Sequence, residues 1–420
     1  MSPRALMLES FHTAVAAAQP ARVVPPHLPS PPRGRTLVVG GGKAAASMAA
    51  VVEKHWPANA PLSGLVVTRY QHSVPTRRIE VVEASHPLPD GRGETAALRM
   101  LTMARELGEH DLLLALISGG GSSLLAAPVA SITLKELRQV TKALLRAGAP
   151  IQAINTVRKH LTQLSGGRLA QAAYPAAGLA LIISDVVGDD PADIASGPCA
   201  PDPTCCADAL DVLARFAIPA PPAVTHYLAD CAAQPNNDTP RPDDACFLRM
   251  SNRILARATD SLAAASHYFE SRGIRAVILD AHATGEAREV ARAHVAYLRT
   301  YAPTSPTAWI SGGETTVTLA TGNGRGGRNS EYLLALALEC ADFPCWALAC
   351  DTDGFDGSED NAGAILTPDS LSRAHSVKLD AAGLLATHDA YGFFATLDDL
   401  VITGATHTNV NDYRVILTGI

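Results

Sequence analysis

The chain has 420 residues, 47% of them hydrophobic and 18% charged, with a formal net charge of -7. That length supports two ordinary domains with large cores, and the composition excludes an intrinsically disordered chain. The acidic balance gives no electrostatic reason to expect nucleic acid or an anionic membrane as partner, which leaves small-molecule chemistry served by a few local cations.

In chain order, Ala5–Ala18 has apolar residues at helical spacing and runs into a proline-rich connector, Pro20–Pro32. The pattern then predicts strand Thr36–Val39, helix Ala44–Glu53, strands Gly64–Thr68 and Ile79–Val82, helix Gly93–Leu107 and strand Leu112–Ile117. Helices Leu134–Leu145 and Asn155–Leu164 and strand Leu179–Ile183 follow. Continuous apolar strands alternating with helices indicate a parallel sheet covered on both faces. The Pro/Ala-rich stretch Ile218–Ala223 and the Pro/Asn/Asp-rich stretch Gln234–Asp244 mark a boundary, dividing the chain into domains 1–240 and 245–420. Beyond it the spacing predicts helix Arg253–Ser271, strand Ala276–Leu279, helix Glu286–Thr300 and strand Ala308–Ile310. Thr315–Ala320 reads as the second arm of a hairpin, followed by helix Arg328–Leu338, strand Trp346–Ala349 and a terminal strand, Val415–Leu417. The segment near 405–420 is a candidate to complete the first domain. The expected class is therefore α/β with two domains.

Four predicted strands run into segments of glycine, small hydroxyls and a charge. They are Gly40-Gly41-Gly42-Lys43, Ser118-Gly119-Gly120-Gly121-Ser122-Ser123, Ser311-Gly312-Gly313-Glu314 and Gly322-Asn323-Gly324-Arg325-Gly326-Gly327-Arg328-Asn329. Glycine clusters let backbone N–H groups approach a ligand, and a helix starting just afterwards favours phosphate. Lys43 opposes the dipole of the helix it opens, so a charge kept there points to an anion. Arg325, flanked by glycines, can grip phosphate oxygens in bidentate fashion, whereas Arg328 reads as a structural neighbour at the helix start.

Two acidic loops follow strands: Ser184-Asp185-Val186-Val187-Gly188-Asp189-Asp190 and Asp351-Thr352-Asp353-Gly354-Phe355-Asp356-Gly357. Carboxylates at strand ends beside phosphate-binding loops suit Mg²⁺; the competing readings are helix caps and Asx-turns. His86, between Ser85 and Pro87, and His407 are the histidines with the most polar surroundings.

Several look-alike motifs fail. Gly322, Gly324 and Gly327 match GxGxxG, but Arg325 interrupts them and the preceding strand does not read as the first of a βαβ unit. Ala44 stands where a Walker A loop needs Ser or Thr, the second acidic loop lacks the closing glutamate of an EF-hand, and Leu124 replaces the last glycine of GxSxG. The eight cysteines, Cys199, Cys205, Cys206, Cys231, Cys246, Cys340, Cys345 and Cys350, form no CxxC pair and no zinc spacing with histidine. Reduced thiols in a cytoplasmic protein are expected. Glu9 and His12 break the first apolar stretch, which does not read as a signal peptide, and the run Ala176–Ile183 is a buried strand too short to span a bilayer.

Taken together, Gly40-Gly41-Gly42-Lys43-Ala44, Ser118–Leu125, Asn155-Thr156-Val157-Arg158-Lys159-His160-Leu161 and Ser165-Gly166-Gly167-Arg168-Leu169 resemble the class II glycerate 2-kinases. So do Ser184–Asp189 and Ala195-Ser196-Gly197-Pro198, while Ser311–Val317, Gly324–Asn329, Asp351-Thr352-Asp353-Gly354 and Thr408-Asn409-Val410-Asn411-Asp412 resemble the MOFRL domain of that family. The chain departs from it at Gly404–Thr408, where the family has a Pro and a Gly before the Thr-Asn pair. The resemblance implies a Rossmann-like domain facing a smaller MOFRL domain, with the active site in the cleft between them. It implies ATP- and Mg²⁺-dependent phosphorylation of D-glycerate at O2, in a protein that is a monomer or homodimer. Some relatives are labelled hydroxypyruvate reductases, so an NAD(P)H-dependent reductase is the alternative. The expected catalytic residues are Lys43, Arg325 and Asp189, with Asp185 and Asp189 as metal ligands. Substrate and nucleotide contacts are expected from Gly41, Gly42, Ser118, Gly119, Gly120, Gly121, Ser122, Ser123, His86 and Arg158, and from Gly312, Gly313, Glu314, Gly324, Asn329, Asp351 and Asn409.

Overall fold

A computed structural model describes residues 1–234, 237–301, 305–319, 324–343 and 345–420. The chain forms two compact units, Pro20–Leu255 and Met1–Gln19 together with Ala256–Ile420.

The first unit is built on β1 (Thr36–Gly41), β2 (Leu62–Arg69), β3 (Ile79–Ala84), β4 (Leu112–Ile117), β5 (Ala177–Ile183) and β6 (Met250–Ala256), in the order β3-β2-β1-β4-β5-β6. β1 to β5 pair in parallel. β1 and β4 are buried along their whole length, which is why they read as unbroken apolar runs. Side chains alternate between faces. Leu37, Val39, Leu65, Val67, Leu113, Ala115 and Ile117 share one core with Met100, Leu101 and Ala104 of helix Gly91–Arg105 and Leu169 of helix Arg168–Ala173. Helix starts are written locally. Asp90 accepts the Gly93 N–H at 3.0 Å, and Thr133 and Glu136 form a reciprocal capping box for helix Leu134–Arg146. A separate helical core joins that helix to Ile151–Leu161, Cys206–Arg215 and Pro222–Ala233 through Leu144, Val157, Leu213 and Leu228.

The second unit holds a mixed sheet ordered β11-β10-β9-β12-β8-β7. Its strands are β7 (Arg275–Glu286), β8 (Thr307–Thr316), β9 (Trp346–Asp351), β10 (Gly363–Leu366), β11 (Leu400–Val401) and β12 (Asp412–Thr418). β7 and β8 are parallel, and the other pairs are antiparallel. One face is covered by helices Pro3–Ala17 and Ala258–Glu270, whose Leu6, Phe11, Leu262 and Phe269 pack with Ile310, Leu348, Tyr413 and Val415. The other face carries Val295, Tyr332, Leu336, Phe393 and Phe394 against Trp309, Ala347 and Ile416. No helix among the described residues is long and apolar enough to cross a membrane.

Several expectations are corrected. The boundary falls at 255/256 rather than 240–245, and the first 19 residues belong to the second unit. The terminal strand lies inside the second sheet, between β9 and β8, and does not complete the first. The helix expected from Arg253 is preceded by β6 and begins at Ala258. The Pro/Ala stretch ends in a helix, Pro222–Ala233, with proline in its first turn, where no N–H is needed. Ser311-Gly312-Gly313-Glu314 is the continuation of β8, so no hairpin starts at Thr315, and the end of that expected arm, Ala320, lies outside the described residues, as do Gly322 and Asn323.

Candidate functional site

The order β3-β2-β1-β4-β5 reverses direction between β1 and β4, and the carboxyl ends of two such strands leave a crevice that loops can line. The first two glycine-rich segments meet there. Gly42, with φ at +140°, lies against Ser118; a Cβ there would fall 2.1 Å from the Ser118 Oγ, so only glycine fits. Lys43 N–H donates to Gly119 O at 2.9 Å, Ala44 N–H to Ser118 Oγ at 3.0 Å and Ser118 N–H to Gly41 O at 3.2 Å. These bonds lock the loops together and occupy the amides of Lys43 and Ala44. The N–H groups of Gly119, Gly120 and Ser122 have no hydrogen-bond partner among the described residues. Consecutive amides of this kind form a concavity suited to an anion. Lys43 itself is buried, at 9% exposure, just before helix Ala45–His55.

Two further groups reach the same loop, and a third lies on a helix packed beside it. The half-buried His86 lies against Gly120, where a Cβ would sit 2.9 Å from its ring Cδ2. Ser122 and Ser196 share a hydroxyl–hydroxyl bond of 2.8 Å. Ser196 lies in a left-handed run, Ala195, Ser196 and Gly197, with φ of 52°, 61° and 60°. Two non-glycine residues in that region mark stored strain, which clusters at functional sites. Helix Ile151–Leu161 packs on this turn and carries Arg158, half-buried and without an ion pair or hydrogen bond from its guanidinium among the described residues. Burial pulls that guanidinium down to about 10. A charge held in a desolvated place without a carboxylate is suited to an anionic ligand.

Asp185 and Asp189 sit half-buried in the loop after β5, the strand next to β4; Asp189 has φ at 55°. Asp190 is a turn former, accepting the Ala192 N–H at 2.8 Å.

In the second unit, most of the residues expected to contact ligand also make contacts within the fold. Gly313, at φ +90°, permits close approach to β7, because a Cβ would lie 2.2 Å from Ala283 O. Gly312 O accepts from Arg414 Nη1 at 2.8 Å, and Glu314 pairs with Arg328 at 3.1 Å. Gly324 is wedged against Thr387 O, where a Cβ would stand 2.1 Å away. Arg328 also holds Asp412 at 2.8 Å and Asp351 at 2.7 Å. Burial works against its charge, yet these three carboxylates hold the guanidinium well above its ordinary value. Asn329, fully buried, donates through Nδ2 to Asp412 at 2.8 Å. Asp356 accepts from Asn329 N–H at 2.9 Å, Ser330 N–H at 2.8 Å and Ser330 Oγ at 2.6 Å, capping helix Arg328–Glu339 from a distant loop. The second acidic loop is therefore a structural hub, and Asp351 and Asn329 serve it. Asn409 is buried next to this hub, where Val410 N–H donates to Thr352 Oγ1 at 2.9 Å.

Arg325 differs from these, being 58% exposed at its side chain. Its Nη2 and Nε donate to Glu359 Oε2 at 2.7 and 3.0 Å, and its guanidinium lies 4.2 Å from the Tyr391 ring centroid. The bond to Glu359 raises its pKa above the ordinary arginine value. Sequence reasoning did not single out Glu359 or Ser196, although Ser196 carried a signal as part of Ala195-Ser196-Gly197-Pro198; Asp356 stood in the second acidic loop, where helix capping was the competing reading. The thiol expectation also fails at one place, because Cys206 and Cys231 form a disulfide.

Comparison with known proteins agrees across nearly the whole chain. Residues 6–229 match a domain of unknown function (DUF4147), and residues 307–412 match the MOFRL family. The chain is 46% identical to a putative hydroxypyruvate reductase of Agrobacterium vitis, across 100% of this chain and 95% of that one. It is 35% identical to a D-glycerate 2-kinase of Thermotoga maritima, across 98% and 97%. A crystal structure of a glycerate kinase from Thermotoga maritima superposes with a TM-score of 0.82 at 34% identity, covering 97% of both chains.

Proposed function

The chain belongs to the glycerate 2-kinases that carry a MOFRL domain, and from that premise we propose that it transfers the terminal phosphoryl group of ATP to O2 of D-glycerate, giving 2-phosphoglycerate and ADP. The observation that carries the reading is the interlocked pair of loops at the carboxyl edge of β1 and β4, where a buried lysine stands beside three backbone donors without partners. Phosphoryl transfer asks a protein for positioning and charge neutralisation more than for covalent chemistry. Amides of Gly119, Gly120 and Ser122 are suited to phosphate oxygens, and Lys43 to the charge that grows as the phosphoryl group moves. Arg158 and His86 supply polar contacts for the substrate carboxylate. Asp185 and Asp189, half-buried in the loop after β5, would hold Mg²⁺, which would supply further neutralisation of the phosphates; Asp189 is the group assigned to take the O2 proton. Arg325 is the second catalytic cation, a role that requires its release from Glu359. A cytoplasmic location accompanies this reading.

The reductase name borne by the Agrobacterium relative has a direct test. An assay coupled through enolase reads 2-phosphoglycerate and ignores 3-phosphoglycerate, and it is run with ATP, Mg²⁺ and D-glycerate. Glycerate-dependent signal and ADP release are expected. Oxidation of NADH or NADPH with hydroxypyruvate, without ADP release from glycerate, would overturn the proposal.

A further inference from the structure

Arg325 is tied to one short stretch of the second unit by more than its ion pair. Asp389 Oδ1 accepts the Arg325 N–H at 3.4 Å and the Gly392 N–H at 3.0 Å, which joins the arginine to the start of helix Ala390–Thr396. The Tyr391 N–H donates to Arg325 O at 2.9 Å. Both backbone polar groups of Arg325 thus end on that helix start. Gly326, at φ +138°, keeps the chain close to it, since a Cβ there would lie 3.1 Å from Tyr391 N.

The side chains repeat the arrangement. The guanidinium lies 4.2 Å from the Tyr391 ring centroid, and the Tyr391 hydroxyl donates to Asp360 Oδ1 at 2.9 Å. The half-buried Tyr391 ring is therefore fixed at both ends, by its own backbone and by Asp360. Asp360 follows Glu359, whose carboxylate takes the Nε and Nη2 donors of Arg325. The two contacts of the guanidinium differ in kind. A carboxylate occupies N–H donors and competes with phosphate for them. An aromatic ring attracts the cation through its face and leaves the donors at the guanidinium edge to an anion. Glu359 must let go before Arg325 can act, whereas Tyr391 need not.

We propose that Tyr391 is a positioning residue for phosphoryl transfer: its ring and its backbone N–H keep Arg325 aimed while the guanidinium exchanges Glu359 for phosphoryl oxygens. This role rests on the reading of Arg325 as the second catalytic cation. Without the ring, a guanidinium released from Glu359 regains rotamer freedom on an exposed stem, and ordering it again falls on kcat.

The test measures kcat and KM with ATP, Mg²⁺ and D-glycerate for the full chain and its variants. Tyr391→Leu is expected to lower kcat by about two- to fivefold, the size of an exposed cation–π contact, with KM little changed. Tyr391→Phe keeps the ring and is expected to recover most of that loss. In an Arg325→Ala background, Tyr391→Leu is expected to cause no further fall, because the ring then has no cation to order. Wild-type kcat in Tyr391→Leu, or an equal loss with and without Arg325, overturns the positioning role while Arg325 keeps its own. Wild-type kcat in Arg325→Ala overturns the catalytic reading of Arg325, and the role of Tyr391 falls with it. Should Tyr391→Leu fail to fold, Tyr391→Met, also without a ring, is read against the same outcomes.

Discussion

Lys43 and Arg325 bear the same sign but stand in opposite circumstances. Lys43 is buried beside amides that lack partners, whereas Arg325 is exposed and already paired with Glu359. Lys43→Ala is expected to lower kcat by about 10²–10³-fold with little change in KM, the signature of a group that acts on the transition state. Arg325→Ala is expected to lower kcat by at least tenfold without moving Tm, because exposed ion pairs add little to stability. Steady-state kinetics with glycerate and ATP, alongside a melting curve, checks both. If either variant kept wild-type kcat, that residue would lose its catalytic assignment. Removing the competing acceptor through Glu359→Gln leaves Arg325 free and is expected to preserve activity or raise it.

His294 makes a residue-scale prediction about pH. It is buried, its Nδ1 lies 2.8 Å from the Tyr332 hydroxyl, and burial, aided by the nearby Arg414 charge, lowers its pKa to about 4. The unfolded chain holds this imidazole near 6.5 and so binds a proton more readily than the folded one. Its contribution to stability is therefore complete above pH 6.5 and is lost as pH falls toward 4, by about 3 kcal/mol. Urea titrations at pH 7 and pH 4.5 should show that slope in the wild type, and His294→Gln should flatten it.

At the scale of elements, the parallel sheet was the most legible part of the sequence. β4 was read with its observed ends, and β1, β2, β3 and β5 to within a few residues; β1 and β4 were plainest because they are buried along their whole length and have no polar positions to blur them. The second sheet was harder. Ser311-Gly312-Gly313-Glu314 looked like a turn because glycine usually makes turns, yet here Gly313 lets β8 run close beside β7. β10 and β11 are short, with four and two residues, and carry too little pattern to be seen. The first glycine loops and Lys43 were found because they break sharply from apolar strands. The bonds of Asp351 to Arg328 and of Asn329 to Asp412 were not legible, because the carboxylates and amides of a structural hub have the same chemistry as ligand-binding groups. Asp356→Ala tests that hub. It removes three acceptor contacts from the start of helix Arg328–Glu339, strands two buried amides and should cost about 2–4 kcal/mol by chemical denaturation.

At the scale of the whole molecule, the chain leaves the second unit after Gln19 and re-enters it at Ala256. The opening helix was legible as amphipathic, but its partner was not, since spacing tells which face is buried and never against what. Leu6, Met7, Phe11, Ala14 and Val15 are buried in the core shared with Leu262, Phe269 and Tyr413. Each large apolar side chain contributes about 1.5–3 kcal/mol, so losing this cover takes away much of the ~5–15 kcal/mol that keeps a domain folded. Deletion of residues 1–19 should lower or abolish the calorimetric transition of the second unit. A melting profile unchanged by that deletion would show that the helix is dispensable.

The placement of β12 has a consequence for synthesis. It occupies an interior position, flanked by β9 and β8, although its residues, Asp412–Thr418, are translated after both of those strands. At about 5–20 residues per second, the opening helix leaves the ribosome roughly 20–80 s before that strand exists. In that interval Pro20–Leu255 can complete its own sheet, while β8 and β9 each wait with an unpaired edge. A nascent chain halted before Asp412 would thus have one finished half and one half with a gap at its centre.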